Sequence, residues 1–273
     1  MPSTTVGYEK IRNWALQFEK DQNGFVKFLL EDQPEPPKYF AMMKKLNKVE
    51  RPLLTEVPQP KQLTQKEFQA AMAKGIKVID TRQKQDFAAG YIPGTLNIQN
   101  NNAFPTWMGW FVSYDEPFIL IAPEEEMETL TRMLMRIGLD NIYGYVPDVS
   151  VWKELGHELD TEEIISLSEL KSLLEKGDTQ VVDLRGAAEY KSGHLEGADN
   201  VFVGTLEANL DKVNKDGAVV VHCKTGDRSA IGYSILARHG FRNVKNYLNG
   251  FEEWVGNGNP IVKAEEEEPA EVN

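Results

Sequence analysis

The 273-residue chain holds one cysteine, Cys223, and four histidines, none of them before position 157. A single cysteine rules out an internal disulfide and suits a reducing compartment in which a free thiol survives. The want of histidine in the first 156 residues excludes a His-based metal site from the N-terminal half. Long apolar runs are missing as well: stretches such as 218–221 fall far below the roughly 18 residues that a membrane span needs. No basic patch followed by an apolar segment opens the chain, so a secretory signal is not expected and the cytoplasm is the expected compartment. Cationic residues are in deficit, 30 Lys and Arg against 42 Asp and Glu. The resulting net charge of -12 argues against nucleic acid as a partner, because phosphate is bound by cationic surplus. It is read as serving solubility, with the 265–268 glutamate run in a solvated tail.

What is present is a duplication. Residues 78–98 lie over residues 181–201 without a gap, Asp80 on Asp183, so the offset is 103. Arg82 then meets Arg185, Asp86 meets Glu189, Gly90 meets Gly193, Gly94 meets Gly197 and Asn97 meets Asn200. A second block sets 137–145 over 239–247, each followed by a tryptophan, Trp152 or Trp254, read as packing residues. A period near 100 residues means two whole domains rather than a solenoid of small units. Their alternating helices and strands predict an α/β fold: two tandem domains, each a mainly parallel sheet flanked by helices. The expected boundaries are an N-terminal extension over 1–60, a first domain over 61–155, a second over 160–263 and an acidic tail over 264–273. In the extension, helical pieces are expected around 11–19 and 25–30, and the QPEPP stretch at 33–37 must be extended. In the second copy Ser168 is expected to cap a helix that ends at Gly177, and 180–184 and 218–222 read as buried strands. Ser229 is expected to cap the next helix, with Ile231, Ile235 and Leu236 facing inward and Gly240 as its stop.

Cys223 thus stands where a parallel strand ends and a helix begins, the usual ligand position in open α/β sheets. Between them runs Cys-Lys-Thr-Gly-Asp-Arg, 223–228. A loop so tight turns backbone N–H groups inward and adds the positive end of the following helix, which favours an anion at its centre. Here that anion is the cysteine's own thiolate, a nucleophile that must stay within reach of solutes. Gly226 permits a positive φ, and Lys224 and Arg228 offer cations to an incoming anion.

With these residues the second copy resembles the rhodanese family: Asp183-Leu184-Arg185, Glu189-Tyr190 and Gly193-His194-Leu195-Glu196-Gly197-Ala198 resemble its first signature. His222-Cys223 with Gly226, Arg228 and Ser229 resembles its active loop. The resemblance implies that Cys223 takes the outer sulfur of thiosulfate or a persulfide, holds it as a cysteine persulfide, and passes it to a thiol or cyanide. Lys224, Thr225, Gly226, Asp227 and Arg228 would bind substrate, with Asp183, Arg185, His194 and Ser229 in support; Asp183 and Arg185 are read as a pair bracing the loop. Neither cofactor nor metal is implied. The first copy has no cysteine: its strand 118–122 brings Ile121 or Ala122 to the Cys223 position, followed by Pro123 and three glutamates that would repel a sulfur anion, and Tyr91 replaces His194. It is expected to be inactive. Residues 1 to about 55, especially GYEK at 7–10 and residues 28–48, are similar to the tail of the metallo-β-lactamase-fold domain in persulfide dioxygenase–rhodanese fusions, although the metal motif H-x-H-x-D-H is absent from this chain.

Two rivals stand beside this reading. A cysteine phosphatase or arsenate reductase on the same scaffold would wrap a tetrahedral oxyanion, but only four residues separate Cys223 from Arg228, one fewer than in such phosphatases, and the smaller cradle suits a single sulfur. A non-catalytic sulfur-relay or interaction module would need the same reactive thiol. The implied partners are a small-molecule sulfur donor and a thiol acceptor; a homodimer, or docking to a persulfide-producing or persulfide-oxidising enzyme, is compatible with the sequence.

Overall fold

The computed structural model describes residues 3–18, 21–31, 33, 35–51 and 53–263. The acidic tail and Glu19 lie outside them. The chain divides between Glu35 and Pro36 into two compact units.

In the first unit α1 (Val6–Arg12) starts at Thr5, whose side chain accepts from the Tyr8 amide, and α2 (Gln22–Leu30) starts at Asp21, which accepts from Gly24. The helical piece expected from residue 11 is broken at Asn13. That residue is extended, and its side chain caps a separate 3₁₀ turn, Trp14–Leu16. Neither helix buries a residue, and Trp14, Phe18, Phe25 and Phe28 cluster ring to ring. Of the QPEPP stretch, Gln33 and residues 35–37 are non-helical, and Pro34 lies outside the described residues.

The second unit opens with α3 (Tyr39–Leu46), whose Tyr39 lies so close to Gly109 that a side chain there would collide with the ring at 2.2 Å. The first copy then runs α4 (Gln65–Ala73), β1 (Lys77–Asp80), α5 (Lys84–Ala89), β2 (Leu96–Asn97), α6 (Phe104–Phe111), β3 (Phe118–Ile121), α7 (Glu124–Met135), β4 (Ile142–Val146) and α8 (Ser150–Glu154). The second runs β5 (Glu163–Ile164), α9 (Leu167–Lys176), β6 (Thr179–Asp183), α10 (Ala187–Ser192), β7 (Asp199–Asn200), two 3₁₀ turns over 203–212, β8 (Ala218–His222), α11 (Asp227–Arg238), β9 (Val244–Tyr247) and α12 (Gly250–Gly256). Every strand pairing is parallel, in the orders β2-β1-β3-β4 and β5-β9-β8-β6-β7. Helices cover both faces of such sheets, which is why the central strands read FILI and AVVVH without a polar alternation.

Two helix starts differ from the sequence expectation. Ser166, not Ser168, caps α9, in a reciprocal capping box with Glu169 that repeats the Thr64–Glu67 box of α4. Helix α11 begins at Asp227 with Gly226 as its cap, and the Ser229 hydroxyl donates back to the Gly226 carbonyl at 3.0 Å. The stops at Gly177 and Gly240 are left-handed as expected, φ 72° and 83°.

Ile231, Ile235 and Leu236 do face inward, but so does every residue from Ser229 to Leu236. A helix buried all round needs cover on every side. One side of α11 lies on its own sheet, where Gly232 leaves room for Leu184. The other meets the first copy: Ser234 Oγ accepts from the Asn97 amide at 3.1 Å, and the Tyr233 ring sits edge-on to Tyr91. Leu96, Ile98 and Met108 accordingly share one apolar cluster with Ile231, Ile235 and Leu236.

The junction of the copies also buries a carboxyl group. Glu162 is 7% exposed; its amide donates to Ala88 in the first copy, one carboxyl oxygen accepts from Asn246 in the second, and the other has no partner. Burial pushes its pKa from 4.5 up to about 8. The folded state therefore holds a proton that the unfolded chain has released, so this contribution to stability is complete below about pH 4.5 and is lost as pH rises through 8. Replacing Glu162 with Gln is expected to stabilise the protein more at pH 9 than at pH 5, with a difference of about 2–4 kcal/mol in urea unfolding; equal effects at both would refute the buried, protonated carboxyl.

Candidate active site

The strand ends that face the loop are braced in duplicate. In the second copy the Arg185 guanidinium forks onto Asp183, with Nε at 3.0 and 2.9 Å and Nη2 at 2.6 Å, and Nη2 also donates to the Gly193 carbonyl at 2.8 Å. Both residues are buried, and Arg185 stacks 3.8 Å over the Phe251 ring. Asn200 donates to the carbonyls of Asp183 and Arg185. The first copy repeats the set: Arg82 forks onto Asp80 and reaches the Gly90 carbonyl, and Asn97 bridges the carbonyls of Asp80 and Arg82. Asp183 and Arg185 are thus committed to each other, as the bracing reading expects.

Strand β8 delivers Cys223 into a four-residue turn before α11. Gly226 has φ 99°, and a Cβ there would strike the Leu248 carbonyl oxygen at 2.2 Å, so only glycine fits. Its amide donates to Cys223 Sγ at 3.1 Å. Several inward amides were expected, whereas this is the one recorded on the sulfur among the described residues. The Asp227, Arg228 and Ser229 amides belong to the first turn of α11 and have no intrahelical acceptor. The opposite side of the turn rests on α12, whose Phe251 and Glu252 amides donate to the carbonyls of Cys223 and Lys224 at 2.8 and 3.1 Å. Gly250, φ 69°, allows that approach, since a Cβ would lie 2.6 Å from both oxygens.

The expected open thiol is corrected: Cys223 is 1% exposed, and the solvent-facing part of the loop is Lys224 and Thr225. Lys224 turns outward to Glu252, 3.3 Å away. Arg228 is also engaged, forking onto Glu189 at 2.5 and 2.9 Å with its side chain 17% exposed. Burial would lower the Arg228 pKa; the Glu189 hydrogen bonds and the charges of Cys223 and Glu189 outweigh it, and the pKa is raised. Burial works against ionisation of Glu189 too, but Arg228 holds its carboxyl below the usual range. Asp227 accepts from two first-copy residues, Lys84 at 2.6 Å and Asn101 at 3.2 Å. Sequence reading missed both, because nothing local marks a contact across 143 positions. Gly250 was visible only as a glycine after a strand.

His222 is fully buried beside Asp183, 3.9 Å away, and burial pushes its imidazole below the ordinary value despite that carboxylate. His194 stacks on Tyr190 at 3.7 Å and its Nδ1 meets the Tyr190 carbonyl, so it packs beside the site rather than against the sulfur. Tyr91 does the same on Phe87 in the first copy. Trp152 and Trp254 each donate to a carbonyl six residues on. The strand register decides the first copy's equivalent of the cysteine: Asp80 pairs with Ile121 as Asp183 pairs with His222, so Ala122 holds the position of Cys223. Helix α7 follows two residues later, leaving no room for a loop. Among the described residues no cluster of three or more His, Cys, Asp or Glu could hold a metal ion, and no helix is long and apolar enough to cross a membrane.

The rhodanese-like domain family matches residues 64–155 and again 166–257. A sulfurtransferase of Allochromatium vinosum is 31% identical over 109 residues, 40% of this chain and 97% of the relative. Thiosulfate sulfurtransferase 18 of Arabidopsis thaliana is 31% identical over 125 residues, 40% of this chain and 90% of the relative. A further curated relative, from Bacillus subtilis, is spanned over 50% of its length. A solved metallo-β-lactamase structure from Staphylococcus aureus is 34% identical, with 54% of this chain and 40% of that one covered and a TM-score of 0.46. The chain belongs to the rhodanese-like domain family, as a tandem of two such domains.

Proposed function

We propose that Cys223 carries a sulfane sulfur from thiosulfate or a low-molecular-weight persulfide to a thiol or cyanide. Its thiolate attacks the outer sulfur of thiosulfate; an S–S bond forms to Cys223 as the S–S bond of thiosulfate breaks, and sulfite leaves with its electron pair. The cysteine persulfide then yields its outer sulfur to cyanide, giving thiocyanate, or to a thiolate, giving a new persulfide, and the Cys223 thiolate returns. No outside oxidant or reductant is needed. The observation that carries this reading is the Gly226 amide aimed at Sγ from 3.1 Å at the mouth of α11. A donor held there in advance favours anionic sulfur on either side of the transfer. The phosphatase rival needs a free arginine for its oxyanion, and Arg228 is occupied by Glu189. Because Cys223 is 1% exposed, this reading requires Lys224, the outer residue of the loop, to move aside for the donor.

Intact-mass measurement after exposure to thiosulfate or glutathione persulfide is expected to add one sulfur atom to the wild type and none to Cys223→Ser; no gain in the wild type would refute the transfer. Steady thiocyanate formation separates turnover from a single loading, as a relay would give. Gly226→Ala is expected to cost about 2 kcal/mol or more in denaturant unfolding, from the left-handed φ and the collision with Leu248, and to abolish sulfur loading. Wild-type loading in that variant would remove the amide from the mechanism.

A further inference from the structure

The first copy reaches into the loop through Lys84. Its Nζ donates to the Thr225 carbonyl at 2.5 Å and to Asp227 Oδ1 at 2.6 Å, and its side chain is only 18% exposed. Its stem passes 3.1 Å from where a Cβ of Gly226 would stand, and its own amide is tied to Gln99 at 3.2 Å. Asn101 adds a second first-copy donor to Asp227.

The Thr225 carbonyl and the Gly226 amide are two ends of one peptide group. In a trans peptide they point in opposite directions, and among the described residues no peptide bond is cis. Whatever holds the Thr225 oxygen outward therefore aims the Gly226 N–H inward, onto Sγ. Glycine takes φ of either sign, so turning this peptide over meets little resistance from Gly226 itself. Turned over, the same group would present oxygen lone pairs to an anionic sulfur. Lys84 also balances Asp227, whose carboxylate stands four residues from Cys223 and would repel an anionic donor.

We propose that Lys84 of the cysteine-less first copy is a positioning residue for sulfur transfer in the second, fixing the orientation of the Thr225–Gly226 peptide and neutralising Asp227. This rests on Cys223 being the reactive thiol. It gives the first copy a part in the reaction: the active loop is complete only when both copies are present.

The test uses the full-length chain with Lys84→Met, which removes the donor and the charge while keeping the stem, and Lys84→Arg, which restores both. Alkylation of Cys223 by iodoacetamide and loading from thiosulfate are followed at pH 7. Lys84→Met is expected to be slower by roughly tenfold in both at pH 7. Lys84→Arg is expected to recover most of the rate, with thermal midpoints alike in all three proteins. Wild-type rates in Lys84→Met, or failure of Lys84→Arg to recover, would overturn the proposal. Lys84→Gln, read in the same way, replaces Lys84→Met if that variant unfolds. Alkylation needs no sulfur donor, so a wild type that never accepts sulfur refutes the transfer reading while Lys84 is still judged.

Discussion

The architecture turns on the burial of α11. Eight consecutive residues of that helix are shielded from water, and no single sheet can do that for a helix; the two copies must close on it from both sides. Because the active turn is the N-terminal continuation of this helix, its position is set as much by the first copy as by β8. The Lys84 and Asn101 contacts follow from that enclosure, since α5 and the segment after β2 are the parts of the first copy that reach the start of α11. Large-to-small changes at Ile235 or Leu236 would for the same reason be felt in both copies.

The duplication has kept one set of interactions and dropped another. The aspartate–arginine fork, the glycine carbonyl that receives its last hydrogen, and the bridging asparagine recur almost bond for bond. Asp80, Asn97, Asp183 and Arg185 are buried, and removing any one of them strands its partners without water. The loop is under no such bond: in the first copy α7 starts two residues past Ala122, and the sheet is intact. Bracing and chemistry are thus separable in this scaffold.

Much of this was legible in the sequence because it is local or repeated. The offset of Asp80 to Asp183 exposed the domains, and a glycine beside a cysteine at a strand end marked the turn. Helix starts were misjudged where two hydroxyl residues competed, Ser166 against Ser168, and the three-residue spacing to Glu169 was the clue that decides between them. Ser229 misled because a serine that bonds back to a carbonyl from within a first turn resembles one that caps it. Arg228 and Lys224 each found a carboxylate, Glu189 and Glu252, that no spacing rule pairs with them. Lys84 was out of reach altogether, since its partner lies in the other copy.

The hydrogen bond from the Asn97 amide to Ser234 has a bearing on the first copy alone. Strand β2 is the outermost of its sheet, and its outward N–H is a site where another strand could add itself. In the intact chain the serine hydroxyl occupies it. A first copy cut free of the second would bare that edge together with the apolar surface of Leu96 and Ile98, and would become sticky toward its own kind.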